Sequence, residues 1–111
     1  MSHPNLSAEI NAALAQSERD GGIWLKDVPS NCGIEVQTQN TLYQIRRLGE
    51  GWEIKGHARF CPDWTPCIIS GSTWGGSMLK MGFIGVGMHL EFCSDQHGRV
   101  VTSPIRECWI K

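Results

Sequence analysis

GSTWGGSMLKMGFIGVGMHLEF, residues 71–92, places six glycines in its first eighteen positions and then alternates apolar with small or polar residues. From Phe83 onward, Ile84, Val86, Met88, Leu90 and Phe92 point one way, and Phe83, Gly85, Gly87, His89 and Glu91 point the other. A period of two belongs to a β-strand. The glycines invite a nucleotide-binding reading, and their spacing rejects it. A P-loop needs a Lys directly after its second Gly, so that the ammonium joins the backbone amides around phosphate. Here Gly76 is followed by Ser77, and Lys80 comes three residues later. A dinucleotide fingerprint would open a helix, whereas Gly82, Gly85 and Gly87 open into a strand. The stretch therefore reads as a bend in a sheet. Gly85 and Gly87 would leave one face bare and let the strand coil. Gly75 and Gly76 would supply a tight connection, with Trp74 folded over the bare face.

Working outward, the same period recurs. In IEVQT, Ile34, Val36 and Thr38 oppose Glu35 and Gln37; in TLYQIRRL, Tyr43 and Ile45 share a face. LGEG (48–51) is a hairpin signal, and WEIKG follows with Trp52 and Ile54 opposed to Glu53 and Lys55. The prolines of HARFCPDWTPC (57–67) argue against a central strand there, and CIIS is a short apolar run before the glycines. RVVTS reads as a strand interrupted by Pro104, and IRECWIK as a last one. Ser7–Arg19 has the N-cap, the early Glu9, the stripe Ile10, Ala13, Leu14 and Ser17, and the Gly21-Gly22 stop of a single surface helix. The expected fold is mostly β in one domain. It is a small antiparallel barrel or strongly curled sheet, SH3-like or Sm-like, of five to seven strands over residues 34–111, with the helix at 7–19 beside it.

The GSTWGGS…LK…G…IG…GM…LEF pattern, with VQTQNTLYQI before it and VTSPI after it, resembles a group of small uncharacterised bacterial proteins. The resemblance runs from about Ile34 to Ile105. It implies one compact β-domain and carries no activity, cofactor or site residue.

Composition narrows the function classes. Net charge is −1; residues 1–40 carry two basic against five acidic side chains, and residues 41–111 eight against six. Neither part has the basic stripe of a phosphate-backbone binder. The longest apolar stretch, Met81–Met88, is glycine-interrupted and far shorter than the ~20 residues of a membrane helix. MSHPNLSAEI has no basic-then-apolar secretory pattern, and the five cysteines are an odd number. The expectation is a cytoplasmic protein with reduced thiols.

Candidate site residues follow from side chains with no core to enter. Trp64, in CPDWTPC, sits between two prolines, where an indole resembles the wall of a groove for peptides, proline-rich ones included. Together with Trp74, Arg59 and Lys80 it defines an expected contact surface over the Arg59–Thr65 loop and the Ser72–Ser77 corner. The partner would be a protein or peptide, with no cofactor and no catalytic residue. One alternative is a zinc or thiol site built from His57, Cys61, Cys67, Cys93 and His97, although paired C-x2–4-C knuckles are missing. Another is single-stranded nucleic acid stacked on Tyr43, Trp52, Phe60, Trp64 and Trp74 beside Arg46, Arg47, Lys55, Arg59 and Lys80. The near-neutral charge disfavours that reading.

Overall fold

The computed structural model describes residues 21–30, 32–74 and 78–111. The expected helix at 7–19 and the Gly75–Ser77 corner lie outside these residues. Nine strands are present among them: β1 (Gly22–Trp24), β2 (Gly33–Thr38), β3 (Leu42–Leu48), β4 (Gly51–Lys55), β5 (Thr65–Trp74), β6 (Met78–Met81), β7 (Phe83–Gly85), β8 (His89–Ser94) and β9 (Gly98–Ile110). Seven form one antiparallel sheet in the order β4-β3-β2-β9-β8-β5-β6. β4 also pairs with the start of β5, through Trp52↔Cys67, Glu53↔Pro66 and Ile54↔Thr65. The sheet thus curls until its far strands touch, but over three residue pairs only. It is a curled sheet and not a clean barrel, because β6 occupies the rest of the β5 edge through Gly71↔Met81 to Trp74↔Met78.

Period-two patterning explains the core. Ile34, Val36, Ile45, Ile54, Leu90 and Phe92 are each at most 1% exposed, and each lies on the face its alternation assigns. β2 and β3 are joined by a turn in which Thr38 Oγ1 accepts the Thr41 amide at 3.1 Å, the local bonding that Thr offers at turns. β3 and β4 meet across Gly49-Glu50, where Gly49 has φ +59°.

Three strands depart from expectation. FIGVGMHLEF is not one strand, because β7 ends at Gly85 and β8 begins at His89. Gly87, at φ +88°, turns the chain between them, and its amide donates to the Ile105 carbonyl at 2.8 Å. β5 runs straight through Pro66 and into the glycine stretch. Pro66 sits near the β5 start, and Gly71, at φ +140°, lies where the β5–β8 register shifts. β9 passes through Pro104 without a break. The residues before it pair with β8 and those after it with β2, so the missing Pro N–H falls where the partner changes.

β1 and β7 form a two-stranded sheet of their own, with Ile23↔Ile84 paired and both side chains buried. Ser72 of β5 ties it to the main sheet. Its fully buried Oγ donates to the Phe83 carbonyl at 2.5 Å and accepts the Gly85 amide at 3.1 Å. The Gly56–Trp64 connection packs Cys61 into the core, with Phe60 against it.

Candidate functional site

Beside Gly33 the outer face of β2 and β3 is hollow. A Cβ on Gly33 would lie 2.8 Å from the Ile45 carbonyl oxygen, so no side chain fits there. Gly33, Ile34 and Ile45 line the base of a groove of about 230 Å³ whose sides are Trp64, Arg46, Gln44, Glu35 and Lys111. β-pairing supplies these neighbours: Gly33 faces Arg46, and Glu35 faces Gln44 on one side and Trp109 on the other.

Glu35 is the electrostatic centre. It is only 8% exposed, a position a carboxylate accepts when its oxygens are partnered. Oε1 accepts Trp109 Nε1 at 3.0 Å, and Oε2 accepts Gln44 Nε2 and Lys111 Nζ, each at 3.3 Å. Burial pushes its pKa up, but the hydrogen bond and charge of Lys111, then Trp109 and Gln44, outweigh burial and hold it below the ordinary carboxylate value. Glu35 therefore stays ionised and braced.

Trp64 stands across the groove. The Arg46 guanidinium lies 4.0 Å from its ring centre while also pairing with Glu53 at 2.7 Å. Lys55 Nζ lies 5.7 Å from the same ring. Cation and indole attract through the ring quadrupole, and Glu53 fixes the guanidinium in its plane. Trp64 is half-buried and outside the hydrophobic core cluster, whereas Trp52 packs against that cluster. The groove thus joins an aromatic wall, two exposed cations and a braced carboxylate. Chemically, these side chains offer stacking and hydrogen-bonding contacts, and none of the lining residues is a cysteine, serine or histidine.

Trp74 and Lys80 lie toward the other end of β5 from Trp64. Trp74 lies at the opposite end of the ten-residue strand β5, a contour on the order of 30 Å at ~3.3 Å per residue. It is 54% exposed and rests against Gly87, which lies in the turn between β7 and β8 and not on a strand face, while Gly85 is covered by Phe83 and Met88. Lys80 Nζ sits 5.1 Å from the Trp24 ring and 4.3 Å from the Phe83 ring, beside the β1–β7 sheet. Arg59 is exposed, with its guanidinium 5.5 Å from the Phe60 ring.

The histidines and cysteines of the zinc alternative have structural partners. His57 Nδ1 accepts the amides of Arg59 and Phe60 at 3.1 and 3.3 Å, which closes the turn. Phe60 stands between the two imidazoles, 4.7 Å from His57 and 5.3 Å from His97, centre to centre. Burial pushes the Cys67 thiol up to about 12, with the neighbouring Cys61 and then Glu53 adding to it; burial likewise raises Cys61. Raised thiol pKa values leave little thiolate, the form that attacks or ligates. Cys67 and Cys93 share a shallow surface hollow with Ile68 and Asp95. Among the described residues, no three His, Cys, Asp or Glu side chains stand close enough to hold a metal ion. His89, on the face opposite the apolar stripe, is half-buried and donates Nδ1–H to the Thr102 carbonyl at 2.7 Å.

Sequence reasoning named Arg46 only for the nucleic-acid alternative, and missed Glu35 as a groove residue braced by Trp109 and Lys111. The last two are more than seventy residues from Glu35, and only the β2–β9 register brings them together. No helix among the described residues is long and apolar enough to cross a membrane. Compared with family models, curated proteins and solved structures, the chain has no significant match.

Proposed function

We propose that this domain is a non-catalytic interaction module that holds an extended segment of a partner protein in the Trp64 groove. The observation that carries the reading is Trp64 itself. It is a large indole kept out of the core, flanked by prolines on either side, and stacked under Arg46 in a groove that Gly33 and Glu35 also line. A rigid aromatic surface offers contact area at small entropic cost, which is how aromatic-lined grooves take proline or aliphatic side chains of extended peptides. Arg46 and Lys111 supply donors for the carbonyl or acidic groups of such a segment. In architecture we take the domain as an elaborated SH3-like or Sm-like curled sheet, a reading supported by the β4–β5 pairing that brings its ends together.

The test is selection from a linear-peptide display library, with wild type and Trp64→Ala as parallel baits. Trp64→Ala should stay folded, losing about 2–4 kcal/mol from the cation–π contact and the half-buried indole. Peptides enriched on wild type should bind the variant at least tenfold more weakly, and should shift the amide resonances of Gly33 and Arg46. Equal enrichment on both baits would end the proposal. So would an unfolded Trp64→Ala, since the indole would then be core.

A further inference from the structure

β6 is a sheet edge with little to protect it. It pairs with β5 on one side and ends the strand order, and among the described residues no strand pairs with its other side. All four residues are exposed; Met78 is 70%, Leu79 42% and Met81 77% accessible. Natural edges are blunted by prolines, bulges or outward charges. β6 has no proline and no register shift, and its one charge, Lys80, is drawn onto the Trp24 and Phe83 rings. Apolar exposure continues inward from this edge. On the neighbouring strand β5, Trp74 is 54% and Ile68 70% exposed.

We propose that two copies of this chain join edge to edge through β6, continuing the sheet across a two-fold axis. Three observations select a second copy as the occupant. The exposed apolar side chains Trp74, Met78, Leu79 and Met81 at this edge each offer roughly 100 Å², so two copies would bring together about 800 Å² of apolar surface, the size of a weak, concentration-dependent pair rather than of a standard ~1,600 Å² interface. A net charge of −1 sets up little repulsion between copies. The strand is also compatible with itself in a defined register. A two-fold normal to the sheet keeps faces, so residues of like parity oppose one another. Centring on Lys80 would set like charges directly opposite, which destabilises a pair. Centring on Leu79 sets Leu79 against Leu79 and Met78 against Lys80, whose aliphatic stem it covers. The structure thus assigns Leu79 to the axis.

Sedimentation velocity of the full chain, from low to several hundred micromolar, tests this. Twice the chain mass is expected to appear with rising concentration. Leu79→Lys sets two lysines opposite each other and should weaken self-association at least tenfold, while leaving the far-UV spectrum and melting curve unchanged because Leu79 is exposed. Leu79→Cys should form a 79-to-79 disulfide under mild oxidation, since directly opposed residues lie about 4.5–5.5 Å apart, within disulfide reach. Met81→Cys should not link to itself, its mates being on the order of 13 Å apart along the strands. A chain that stays single at the highest concentration would overturn the proposal and leave the edge to residues 1–20 or to another protein. A dimer that Leu79→Lys leaves intact, or that fails to cross-link at 79, would overturn it as well.

Discussion

Replacing Ser72 with Ala tests whether the glycine-rich stretch is held by β5. The side chain is 0% exposed, and its single oxygen serves two backbone groups of β7. Alanine removes both hydrogen bonds and leaves water no path to replace them. The losses are unequal. The Gly85 amide has one proton and would be orphaned, whereas the Phe83 carbonyl keeps a second lone pair. An unsatisfied buried group costs about 1–3 kcal/mol, so the amide dominates and the expected total is about 2–3 kcal/mol. With a urea slope of about 1–3 kcal/mol/M for a domain of this size, the midpoint should fall by roughly 1–2 M at unchanged slope. Hydrogen exchange supplies the local readout: the Gly85 amide should lose more protection than amides of β2 or β3. A loss under about 0.5 kcal/mol, the range of ordinary surface changes, would refute the reasoning. So would a Gly85 amide that stays protected, because another group would then be holding β7.

Two further outcomes follow from the same structure. Gly71→Ala should destabilise more than Gly49→Ala in thermal melts, because its Cβ would sit 2.2 Å from the Lys80 carbonyl oxygen whereas Gly49 has open space; both pay the positive-φ strain, and equal losses would contradict the packing. Alkaline pH should unfold the domain: burial raises Cys67 from 9.0 and Tyr43 from 10.0, each to about 12, and Cys108 from 9.0 to about 11. Below pH 9 these groups are protonated in both states; above it the unfolded chain ionises first, so urea midpoints should decline between about pH 9 and 12, and a flat profile would contradict the burial.

What was legible in the chain was local alternation. Ile34, Val36, Tyr43, Ile45, Ile54, Leu90 and Phe92 could be assigned to the core because each strand repeats its pattern on one face. β1 was illegible because three residues cannot show a period, and Ile23 is buried only where β7 lies beside it. Glycine and proline misled in opposite directions. Gly71 and Pro66 looked like strand breakers and lie inside β5, one at a register shift and the other near its start. Gly87 looked like a strand residue and is a turn, because its amide is captured by Ile105 from β9. The groove was half visible: Trp64 stood out by its prolines, while Glu35 looked like any acid on a polar strand face. Its burial depends on Trp109 and Lys111 arriving from the far end of the chain, which no local pattern encodes.

The length of β5 decides how the two surfaces relate. Trp64 immediately precedes its first residue, and β6 pairs with its last four. Between them the strand is anchored on the inside by Ile69 in the core and by Ser72 beneath β7. A ligand at Trp64 therefore presses on one end of a strand whose middle is pinned, and a contact at β6 on the other. The pinned middle gives neither event a two-state element to shift, and coupling between sites requires one. Groove and edge are in this reading independent, and pairing through β6 would act by number: two Trp64 grooves on one continuous sheet convert a second binding event into an intramolecular one, with the gain set by whether a partner's segments can span them.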